Sequence, residues 1–75
     1  MREVKLSLLR HALEIARRME AREIGTRSYS PSAQGGDARR IAAIANALGV
    51  NADPLFVDGF TAWILYFDIL AKVCD

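Results

Sequence analysis

Apolar positions recur along the last third of the chain in two parallel helical rows. Phe56, Phe60, Trp63, Phe67, Leu70 and Cys74 follow steps of four and three. Leu55, Gly59, Ala62, Tyr66, Ile69 and Val73 form a second row one residue out of phase. At about 100° per residue the rows lie side by side, and with Ile64 they cover more than half of a helix circumference. The pattern predicts a helix over about residues 54–73 with more apolar face than a monomer's surface helix needs. Gly59 and Ala62 make the second row shallow enough to pack on another helix of the same chain. The aromatic row is then the expected intersubunit seam, through Phe56, Phe60, Trp63, Phe67 and Leu70.

Upstream, Leu6, Leu8, Leu9, Ala12, Leu13, Ile15, Ala16 and Met19 make a wide apolar stripe, while Glu3, Ser7, Arg10, Glu14, Arg17 and Arg18 fall on the other side. This predicts a first helix over about residues 3–24, stopped by Gly25. Residues 25–36 read as a loop by their Gly, Ser and Pro content. Asp37 is placed to cap a second helix over about residues 38–48, with Ile41, Ile44, Ala45 and Leu48 on one face and Gly49 as terminator. Asp53 and Pro54 then form an N-cap and first-position pair for the third helix. No strand-like alternation competes with this reading.

The predicted fold is therefore all-α, a single domain of residues 1–75 with a long, a short and a long helix, assembled as a homodimer. Size supports the assembly: 75 residues lie below the length at which a single core is comfortably stable alone. Cys74 is the only cysteine, so no intrachain disulfide can form. One His and one Cys cannot build a four-ligand zinc site. Neither a metal nor any other cofactor is expected. The lone thiol fits a reducing compartment, no secretory signal is read at the charged start, and the uncharged run 59–67 is far shorter than the roughly 20 residues that span a bilayer. The expectation is a cytoplasmic protein with no membrane contact.

Charge changes the picture because it is uneven. Nine of the ten Lys and Arg residues, against five of the nine acids, lie in residues 1–40. Most are arginine, which pairs bidentately with carboxylates and phosphates. Arg17, Arg18, Arg22, Arg27, Arg39 and Arg40 bracket the loop, and Tyr29 lies within it. Together these seven are the expected partner-binding set, a basic rim with an aromatic anchor that suits a larger, acidic protein. A net charge of +1 and the lack of interleaved stacking aromatics make nucleic acid a weaker candidate. No nucleophile, base and oxyanion hole are assembled, so no catalytic residue is expected and the chain is not read as an enzyme.

The stretch Ala-Arg-Arg-Ile-Ala-Ala-Ile-Ala-Asn-Ala-Leu-Gly-Val-Asn-Ala-Asp-Pro-Leu-Phe, residues 38–56, resembles the last two helices of the lambda-repressor/Cro-like helix-turn-helix family. It covers 19 of the 75 residues and falls outside the part of that fold which reads DNA, so it carries over no DNA-contacting residue. The expected function is a small regulatory or inhibitory protein of bacterial or phage type that occupies a surface of a larger partner. The alternatives are a DNA-binding transcriptional regulator with partial helix-turn-helix character, and a subunit of a hetero-oligomer.

Overall fold

The computed structural model of the chain describes residues 2–24 and 31–75, and in these the fold is all-helical: three α-helices and one 3-10 turn. Helix α1 (Arg2–Ile24) runs the length of a body measuring 39 × 19 × 16 Å. Helix α2 (Pro31–Ala47) and helix α3 (Gly59–Cys74) both pack on it and on each other, with the 3-10 turn Pro54–Phe56 between them.

The core follows from one stripe on each helix. Ala12, Ile15, Ala16 and Met19 come from α1, Ile41, Ile44, Ala38 and Ala45 from α2, and Ala62, Leu65 and Ile69 from α3. Small residues fill much of this list, so the helices approach closely and a short chain still excludes water. The N-terminal part of the α1 stripe is covered only in part: Leu6 is exposed, Leu8 and Leu9 pack half-buried against the core, and Leu13 is half-buried.

Two boundaries differ from the sequence pattern. Residues 31–36 belong to α2, so that helix begins well before residue 38 and Asp37 lies inside it instead of capping it. The third helix is also divided. Asp53 does cap a first turn, its Oδ1 accepting from the Leu55 N–H at 3.0 Å, with Pro54 in the first position. That turn is a single 3-10 turn; the backbone returns to extended geometry at Val57, and α3 starts anew at Gly59. The helix that the partial helix-turn-helix resemblance implies after residue 53 is thus cut to three residues. Gly25, Arg27, Tyr29 and the 25–30 part of the expected loop lie outside the described residues.

The end of α2 matches its sequence signals. Gly49 takes φ +86°, the left-handed value that glycine adopts without penalty. The Val50 N–H donates to the Ala45 carbonyl at 2.8 Å and the Gly49 N–H to that of Asn46 at 3.1 Å, the bonding pattern of a Schellman stop. The Asn46 amide then clasps the turn, donating to the Ala52 carbonyl and accepting from its N–H.

Candidate interaction surface

Helix α3 sorts its two apolar rows in part, and Leu65, which belongs to neither, is buried with the second. Gly59, Ala62 and Ile69 are buried, and Tyr66 and Val73 half-buried, so the second row is the one that faces the core. Gly59 has to be small: a Cβ there would press on the Glu20 backbone at 3.3 Å and on the Glu23 carboxylate.

The aromatic row points the other way. Phe60 is 75% exposed and Phe67 59%, and Ile64 between them is 45% exposed. Leu55 (87%) and Phe56 (77%) extend this apolar surface past the start of α3, on the 3-10 turn. Trp63 and Leu70 are half-buried and form the inner border of the patch. Trp63 meets Tyr66 edge-on at 5.7 Å between ring centroids, and each of these rings also touches Phe67. The Trp63 indole N–H is buried without an acceptor among the described residues, which makes this half of the trio an imperfectly satisfied piece of packing. The opposite border of the patch is polar: Thr61, Asp68 and Lys72 follow each other at helical spacing.

Asp58 sets the start of this helix. Its Oδ1 accepts from the Thr61 N–H at 2.8 Å, and its carbonyl accepts from Ala62. The bond from the Thr61 backbone N–H, followed by that from the Thr61 side chain, holds the Asp58 carboxyl below the usual carboxylate range. No sequence signal beyond an Asp three residues before Thr61 marks this second cap.

The arginines divide into two groups. Arg18 and Arg22, one turn apart on α1, both reach Asp37 on α2, and Arg40 joins from one turn further along α2. Asp37 is 1% exposed. Arg18 spans both carboxylate oxygens, Nε to Oδ2 at 3.3 Å and Nη2 to Oδ1 at 3.1 Å. Gln34 completes the group, accepting from Arg22 at 2.8 Å and donating to the Met19 carbonyl at 3.2 Å. Burial works to raise the Asp37 carboxyl; the hydrogen bonds and positive charges of Arg18 and Arg22 outweigh it and leave the group below its ordinary value. The same bond to Asp37 raises Arg18.

Arg18, Arg22 and Arg40 therefore serve first to join α1 to α2, with their charge partly neutralised. Arg17 and Arg39 are exposed and have no ion pair among the described residues. Glu14 pairs with neither Arg10 nor Arg18 among the described residues; Arg18 turns to Asp37. The hint of this hub in the sequence is a single acid, Asp37, close to Arg39 and Arg40 and facing two arginines spaced four apart.

A second surface feature is an open, mostly apolar groove of about 370 Å³ between the first half of α1 and the middle of α2. Leu8, Ala43 and Ile44 line it, with Ser7, His11 and Arg40 around them. Cys74 is exposed and free. Among the described residues no group of three or more His, Cys, Asp or Glu side chains could hold a metal ion, and no helix is long and apolar enough to cross a membrane. Comparison with protein-family models, with curated proteins and with solved structures finds no match to this chain, so the surface is read from its own residues.

Proposed function

We propose that this chain works by protein contact, pairing with a second copy through the outward face of α3 and regulating or inhibiting a larger partner by occupying part of its surface. The observation that supports this reading is the apolar run Leu55, Phe56, Phe60, Ile64 and Phe67 left in water. Taking about 200 Å² for each large side chain, the run leaves roughly 700 Å² of such surface per copy. Two copies meeting there would bury up to about 1,400 Å², within the range of specific interfaces. A patch of that size on a small monomer marks a contact surface more often than it stands idle.

The larger partner would be acidic and would meet the α1–α2 side, where Arg17 and Arg39 keep their charge available. The Asp37 hub fixes the two helices that carry them, so the basic surface is presented on a rigid support.

Sedimentation equilibrium of the pure chain tests the reading. Twice the chain mass at micromolar concentration is expected, falling to a single copy for Phe67→Glu. A wild-type chain that stays single at high concentration overturns self-pairing. A chain that is single when pure, yet always recovered with one other polypeptide, is instead a subunit of a hetero-oligomer.

A further inference from the structure

We infer that two copies pair with their α3 helices antiparallel and with Ile64 on the two-fold axis. This rests on the reading of the α3 face as a self-association surface, and it adds the register and direction of the contact.

The outward face of α3 is close to self-complementary about Ile64. With a rise of about 1.5 Å per residue, Phe60 stands about 6 Å before Ile64 and Phe67 about 4.5 Å beyond it. At about 100° per residue both rings lean to the same side of the Ile64 line, while Thr61 and Asp68 lean to the other. In a two-fold antiparallel pair, like sides meet and heights are reversed. Phe60 then falls against Phe67 of the second copy, Ile64 against Ile64, and Thr61 against Asp68. The two aromatic contacts and the central aliphatic one form a continuous apolar seam, and the polar border of one copy meets the polar border of the other.

Charge selects the same direction. Asp58 sits at the N-terminus of α3 and Lys72 in its last turn. Antiparallel pairing brings Lys72 of one copy level with Asp58 of the second, and each helix start beside a helix end, so charges and helix dipoles attract. Parallel two-fold pairing would keep heights and exchange sides, so Phe60 and Phe67 would face Thr61 and Asp68 of the second copy, and the two acidic helix starts would gather at one end. The one-sided lean of the aromatic rings and the acidic start and basic end of the helix thus favour the same direction.

Site-directed cross-linking distinguishes the arrangements without touching the apolar row. In a Cys74→Ser background, Thr61→Cys chains are mixed with Asp68→Cys chains of a different tagged length and oxidised, and association is followed in parallel by sedimentation. The expected result is a mixed disulfide between positions 61 and 68, at least several-fold over either same-position product. Dominant 61–61 and 68–68 products would overturn the antiparallel register while leaving self-pairing through α3 intact. A sedimenting dimer with no cross-link would place the contact elsewhere and overturn the inference. A single sedimenting copy would overturn the underlying reading as well.

Discussion

Gly59 meets Glu20 across the α1–α3 contact so closely that a methyl group on Gly59 would come 3.3 Å from the Glu20 Cα. The obstruction is backbone, which cannot swing aside as the nearby Glu23 carboxylate can. Gly59→Ala is therefore expected to destabilise the chain by about 1 kcal/mol, the cost of overpacking exceeding the gain in helix propensity. Urea denaturation followed by circular dichroism measures this. Adding Glu23→Ala should restore only part of the loss, because it clears the side chain and leaves the backbone contact.

Asp37 is the acceptor on which Arg18, Arg22 and Arg40 converge. Asp37→Ala should cost roughly 2–3 kcal/mol, below the full penalty for breaking a buried pair because the arginines keep access to water. The same unfolding experiment reads it. A loss under about 0.5 kcal/mol would mean that the cluster contributes little to the α1–α2 contact.

The pH dependence has a definite sign. The folded-state pKa of Asp37 lies below the ordinary value, so the unfolded chain binds more protons as the pH drops through the carboxylate range. The stabilisation is complete above the unfolded pKa of about 3.9 and is lost as pH falls toward the lower folded value. Asp58 adds in the same direction. Urea midpoints between pH 7 and pH 3 should fall more steeply for the wild type than for Asp37→Asn.

Asp58 closes the first turn of α3 through the Thr61 N–H. Asp58→Ala should cost about 1 kcal/mol, and Asp58→Ser or Asp58→Asn should recover most of it. Equal losses for all three would assign the effect to charge instead of to the cap.

Trp63 offers a sharper contrast. Trp63→Ala removes half-buried ring packing against Tyr66 and Phe67 and should cost about 3 kcal/mol. Trp63→Phe keeps an aromatic ring and removes the acceptorless N–H, so its lost volume is largely offset and the change should stay within about 1 kcal/mol. Thermal unfolding of the two variants side by side decides this.

The helix class and the α2 stop at Gly49 were legible from periodicity and from a few capping residues. The two rows of α3 were legible only in part, since Leu65, in neither row, is buried, Leu55 of the second row is exposed and Trp63 of the aromatic row packs on the core. Gly59 and Ala62 lie buried as their small size suggests and Ile69 as its spacing from them suggests, while Phe60 and Phe67 stay outside. The start of α2 was not legible. Gln34, Gly35 and Gly36 have loop composition, and what holds them in helix is tertiary: the Gln34 amide on the Met19 carbonyl and its oxygen on Arg22. The break before α3 was hidden for the opposite reason. Leu55 and Phe56 continue the apolar rhythm, and Asp53 and Pro54 supply a valid cap, so no local residue announces the second start at Asp58. The arginines looked alike in sequence; only the fold separates Arg18, Arg22 and Arg40, paired with Asp37, from Arg17 and Arg39.

The buried side of α2 is rich in methyl groups, Ala38, Ala42 and Ala45, and smooth surfaces of this kind let one rod slide or roll on another at little cost. The carboxylate among them acts as a detent. One turn up or down the rod, it would lose Arg18 or Arg22 and keep fewer of its charged partners, a loss that no rearrangement of methyl contacts could return. A single acid, gripped from across the contact, thus favours one resting position of the two helices.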